Sequence, residues 1–120
     1  MPVVRPASID FEAAVQGLTP AFDLSEVHNA CTWVTKCQQD MAQLWRDGSL
    51  WAVTEVVETK RGRALHFVAM AGDYVDSLRI EIEAWGKSVG CNKAFFTGRK
   101  GWAKRLPAYR IRTVTLEKDI

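Results

Sequence analysis

Few side chains in this chain have the types and spacing that chemistry needs. His66 has an imidazole able to act as a base near neutrality. A strand histidine between Leu65 and Phe67 is also well explained as a half-buried, hydrogen-bonded residue. His28 and Cys31 stand three apart on a helical pattern, yet no second pair completes four metal ligands. Ser49, Ser77 and Ser88 lie in no nucleophile elbow. Towards the C-terminus Arg99, Lys100, Trp102, Arg105, Tyr109 and Arg110 mix cations with aromatic rings. Such a surface can stack bases and neutralise phosphates, or anchor an acidic protein partner.

Charge is divided along the chain. From residue 91 onward, eight cations less Glu117 and Asp119 give +6, which leaves −4 for the first ninety residues of a chain whose net charge is +2. A basic end of this kind suits a phosphate-bearing ligand, DNA or an acidic protein, and equally a solvated edge. At 120 residues the chain forms a single domain, 1–120, with one core. No apolar run reaches the roughly 18 residues of a membrane span, and the opening Met-Pro-Val-Val-Arg-Pro has neither signal- nor transit-peptide character. The expectation is a protein without a membrane partner that stays in the cytoplasm where it is made. Cys31, Cys37 and Cys91 form no Cys-x-x-Cys pair and read as reduced thiols.

The elements that must hold these residues follow from periodicity. Val75, Leu78, Ile82, Trp85 and Val89 make one apolar stripe on a central helix, capped by Asp73 and closed by Gly90. Strands at Ala64 to Met70 and Ala94 to Phe96 flank it as a β-α-β unit, whose parallel strands need a helical crossover. Leu50 to Thr59 is the antiparallel hairpin partner of the first of these, through the turn at Lys60 to Arg63. Val3-Val4 reads as a first strand and Ser8 as the start of a first helix, broken at Gly17 to Pro20. Asp23-Leu-Ser-Glu26 is a capping box, and it opens a long helix with Val34, Gln38, Met41 and Trp45 on one face, ending at Asp47-Gly48. A short helix from Gly101 to Leu106 and a closing strand from Ile111 to Leu116 complete the chain. The fold class is α+β, an α/β sandwich with a mixed central sheet flanked by helices.

This order, with Val-Val-Arg-Pro-Ala-Ser-Ile-Asp-Phe-Glu-Ala-Ala-Val at the start and Trp85-Gly-Lys-Ser-Val-Gly-Cys91 before the last strands, resembles the GNAT N-acetyltransferase fold. Gly98-Arg-Lys-Gly-Trp102 and Leu106-Pro-x-Tyr-Arg110 are similar to small GNAT-like proteins of tailed bacteriophages. The resemblance implies a GNAT-like domain. For an enzyme it implies a base at Glu55, Glu58 or His66, an acid at Tyr109, and a cofactor loop at Ala71, Gly72, Asp73 and Tyr74. The stretch Met70 to Asp76 that carries it holds one glycine, two aspartates and no cation, so repulsion of a diphosphate predicts no cofactor. The reading favoured at this level is a non-catalytic phage protein of the host cytoplasm or virion. Its partners would be phage structural proteins or a second copy, bound through Arg99, Lys100, Trp102, Arg105, Tyr109 and Arg110. The alternatives are an acetyl-CoA-dependent N-acetyltransferase with a divergent pyrophosphate loop, and DNA binding through the basic end.

Overall fold

The computed structural model describes residues 3–22, 27–98, 101–112, 116 and 118–119. Five strands form one sheet in the order β1 (Val3–Val4), β2 (Gln43–Asp47), β3 (Leu50–Thr59), β4 (Gly62–Ala71), β5 (Cys91–Phe96). The first three pairings are antiparallel, and β4 with β5 is parallel. The helices are α1 (Phe11–Leu18), α2 (Val27–Gln38), α3 (Asp76–Ser88) and the short α4 (Trp102–Arg105).

Alternation along the strands sends side chains to two cores. Leu44, Trp51, Val53 and Ala69 meet Ala14 and Leu18 of α1 and Ala30, Val34 and Cys37 of α2. Trp45, Leu50, Ala52, Leu65, Phe67 and Met70 meet Leu78 and Ile82 of α3. The stripe read along the central helix is thus the face that packs on the sheet. Its ends differ from expectation. Val75 is the N-cap and is exposed, no side chain caps the helix, and Asp73 is instead held by Ser49. Gly90 does take the left-handed conformation just beyond the helix, at φ 95°.

The long second helix of the sequence reading is corrected. Helix α2 stops at Gln38, Asp40 turns the chain at φ 61°, and Met41 N–H returns to Lys36 C=O at 2.9 Å. Gln43–Asp47 is then a strand, and the Asp47-Gly48 that looked like a helix stop is its hairpin turn to β3, with Gly48 at φ 60°. The proposed cap at 23–26 lies outside the described residues. At the first helix the cap is Asp10, whose carboxylate accepts from Ala13 N–H at 3.2 Å, while Ser8 closes a preceding 3-10 turn. Of the closing strand, Ile111, Arg112 and Leu116 are irregular and 113–115 lie outside the described residues.

Two departures from regular pairing shape the sheet's far end. Val53 pairs with Ala69 but Thr54 pairs with Phe67, so Val68 is an extra residue that bulges out of β4. Pairing with β5 ends at Phe67 and Phe96, closed by a Thr97 N–H to Phe67 C=O bond of 3.1 Å. Beyond it the two parallel strands part.

Candidate functional site

Where β4 and β5 separate, a cleft of about 180 Å³ opens. Its walls are the small residues Ala69, Ala71 and Gly72 on one side and Phe96, Thr97 and Gly98 on the other. Gly72 sits at φ 116°, where a Cβ would meet Ser49 C=O at 2.0 Å, so only glycine lets the chain leave β4 this close to the start of β3. The cleft shares Gly72 with a wider recess of about 420 Å³ lined by Asp73, Tyr74, Asp76 and Arg105.

Three strands meet on the α1/α2 face beside the cleft. Glu55 of β3 lies directly across from His66 of β4, and His66 from Phe95 of β5. The carboxylate oxygen Oε2 of Glu55 is 2.7 Å from His66 Nδ1, and Thr97 Oγ1 is 2.8 Å from Nε2. Because a carboxylate only accepts, Nδ1 carries the hydrogen in the neutral ring, and Nε2 accepts from the Thr97 hydroxyl. Phe95 stacks on the imidazole at 4.4 Å and 10°. The ring is therefore fixed by a hydrogen bond and by stacking, with its basic nitrogen aimed at a hydroxyl in the cleft wall.

The remaining sequence-derived candidates are placed as follows. Glu58 pairs with Arg63 at 2.6 Å on the surface and does not reach His66. Tyr109 lies on the opposite, α3 side of the sheet, where its hydroxyl donates to Glu83 and its ring meets Phe67. Burial, then the hydrogen bond to Glu83, pushes the Tyr109 hydroxyl well above its usual range. Ala71 and Gly72 line the cleft, and Gly72, Asp73 and Tyr74 the recess. Trp102 packs inward on Phe96 (5.2 Å) and Tyr74 (5.5 Å), with Arg105 over its ring. Arg105 and Arg110 are exposed, and Arg99 and Lys100 lie outside the described residues. Arg112 rests on Phe95 at 4.9 Å. Among the described residues no group of three or more metal-ligating side chains gathers, and the His28 side chain lies outside them. No helix of the described residues is long and apolar enough to cross a membrane.

The acidic loop proves less repulsive than its sequence. Asp73 is tied to Ser49 by a 3.1 Å bond, and Asp76 accepts from Tyr74 at 2.7 Å with Arg79 at 3.7 Å. Arg79 on α3 is shared between Asp76 and Glu83, to which it bonds at 2.7 Å, and Arg105 on α4 lines the recess with the two aspartates. Arg105, from a segment more than thirty residues downstream, stands where the loop itself has no cation.

No protein-family model matches the chain, and no curated protein matches it. Solved structures do. An aminoglycoside acetyltransferase from an uncultured soil metagenomic sample superposes at TM-score 0.64 with 10% identity, over 98% of this chain and 94% of that one. A predicted acetyltransferase from Clostridium acetobutylicum, solved with acetyl-CoA, gives 0.61 at 11% identity, over 98% and 92%. An aminoglycoside N-acetyltransferase in complex with CoA gives 0.59 at 12%, over 98% and 93%. The expectation of a scaffold without a cofactor is corrected by these last two, which hold acetyl-CoA and CoA on the same fold. The count of Asp73 and Asp76 left out Arg105, which lines the same recess. The chain has a GNAT-like α+β fold, a mixed five-stranded sheet between helices, in common with acetyltransferases.

Proposed function

We propose that the chain is an acetyl-CoA-dependent N-acetyltransferase with a divergent pyrophosphate loop. The observation that carries this reading is the cleft where β4 and β5 part, with Thr97 in its wall and His66 hydrogen-bonded to Thr97. Residues suited to hold the cofactor are present. The small side chains Ala69 and Ala71 leave room for a narrow arm beside unpaired strand backbone. Among the described residues no side chain caps the start of α3, a helix end suited to a phosphate, and Arg105 lines the recess beside it. When bound, the cofactor supplies an acetyl group activated as a thioester.

The chain's own residues do the rest. His66 takes a proton at Nε2, and Glu55 holds the ring in the tautomer that leaves this nitrogen basic and stabilises the imidazolium that forms. Trp102 and Phe96 shield one end of the cleft from water. The neighbours on this fold are acetyltransferases, which leaves a virion role without support.

The test is transfer of acetyl from acetyl-CoA to a panel of primary amines, followed by release of free thiol and by mass spectrometry of the amines. Acetylated amine is expected, with His66→Gln slowing its formation by about 10²–10⁴-fold. No product from any amine class, with the protein folded, would overturn the proposal.

A further inference from the structure

The Glu55–His66–Thr97 array has the serial geometry of a nucleophile, its base and the group that orients the base. Both contacts, 2.8 Å and 2.7 Å, lie within the hydrogen-bond reach such arrays need, about 2.6–3.2 Å. The array crosses three strands, and its three members share the sheet face away from α3. Glu55 and the stacked Phe95 already fix the imidazole, so Thr97 is not required to position it. Thr97 is also the first residue past the last β4–β5 pair, exposed, and part of the cleft wall. A hydroxyl whose proton is accepted by an oriented imidazole, on a residue that lines a cleft, has the arrangement of an activated nucleophile.

We infer that Thr97 is an acyl acceptor, so that transfer runs in two steps through an acyl-threonine ester. In the first step a lone pair of Thr97 Oγ1 attacks the acyl carbon while the hydroxyl proton passes to His66 Nε2. The bond from that carbon to the leaving sulfur or oxygen breaks, and the leaving group takes the proton back from Nε2. In the second step an amine attacks the ester carbon, its proton goes to Nε2, and Thr97 Oγ1 leaves and recovers it. No oxidant or further reactant is needed. Glu55 takes no proton in either step and acts through His66 alone.

In its acyl donor this inference rests on the acetyltransferase reading, so its test uses an activated ester in place of that donor. The full-length protein is mixed with p-nitrophenyl acetate at neutral pH, without CoA. The expected result is a burst of about one nitrophenolate per chain and one acetyl group, located at Thr97 by peptide mass spectrometry. Thr97→Val abolishes burst and label, Thr97→Ser keeps both, and Glu55→Gln and His66→Gln slow the burst by about 10²-fold or more. Thermal unfolding of each variant controls for folding.

Label confined to lysines or cysteines, or a Thr97→Val protein that labels as the parent does, overturns the inference. So does a folded Thr97→Val protein that still moves acetyl from acetyl-CoA to amines at the parent rate, and that outcome leaves the acetyltransferase reading standing. Conversely, ester-dependent label on Thr97 in a protein that does not bind acetyl-CoA supports the nucleophile and sinks the cofactor reading.

Discussion

Trp45 donates its indole N–H to the hydroxyl of Thr54 at 2.9 Å, with both residues fully buried on the α3 side of the sheet. Thr54 in turn donates to Gln43 Oε1 at 2.9 Å, so a buried polar chain links β2 to β3 beneath Trp85, whose ring meets Trp45 edge-on at 5.5 Å. Thr54→Val keeps the shape and removes the acceptor. Leaving the indole N–H unpaired in the core costs about 1–3 kcal/mol, measured by urea unfolding, and Thr54→Ser should lose less. A Thr54→Val protein as stable as the parent would show that the indole finds another acceptor.

Gly17 faces Trp51 so closely that an added Cβ would lie 2.2 Å from its Nε1. Alanine normally favours a helix over glycine, by about 1 kcal/mol. Here the sign reverses, because overpacking costs about 1–3 kcal/mol. Gly17→Ala should therefore lower the unfolding midpoint, and a rise would mean that Trp51 yields.

Burial raises the Cys37 thiol from its ordinary 9.0 to about 12. The unfolded thiol then ionises while the folded one stays neutral, so this group's contribution to stability is full below pH 9.0 and is lost as pH rises towards about 12. In the native protein at pH 8, Ellman's reagent should leave Cys37 unmodified while reacting with the partly exposed Cys31 and Cys91. Rapid modification of Cys37 without denaturant would contradict its burial.

The parts of the fold legible in sequence were those with short-range repeats. Leu78, Ile82 and Trp85 recur at helical spacing, and the strands of the β3–β4 hairpin are rich in Val, Thr and aromatics. Strand β2 was hidden because Val34, Gln38, Met41 and Trp45 carry the same helical spacing across the turn at Asp40, so periodicity alone ran the helix on. Asp47-Gly48 fits a helix end and a hairpin turn equally well, and only the length of Leu50 to Thr59 after it favours the hairpin.

The candidate site was half legible. Glu55 and His66 stand out by residue type, but their pairing depends on the β3–β4 register. Thr97 carries no sequence signal of its own, since its role needs the parallel register of β5 and the point where pairing stops. Arg105 was legible as a cation and not as part of the recess with Asp73, because that placement depends on where the chain after β5 runs.

The proposed function requires this chain to bind acetyl-CoA despite the aspartates at positions 73 and 76. Arg105 supplies a charge-assisted contact to the phosphates in this account, so Arg105→Ala should weaken binding by about 10- to 100-fold, in line with 1.5–3 kcal/mol for such a bond. Titration of the parent protein with acetyl-CoA by calorimetry tests the claim most directly. Saturable heat with micromolar affinity and a matching rise in unfolding temperature are expected. No heat and no thermal shift at millimolar acetyl-CoA would contradict it.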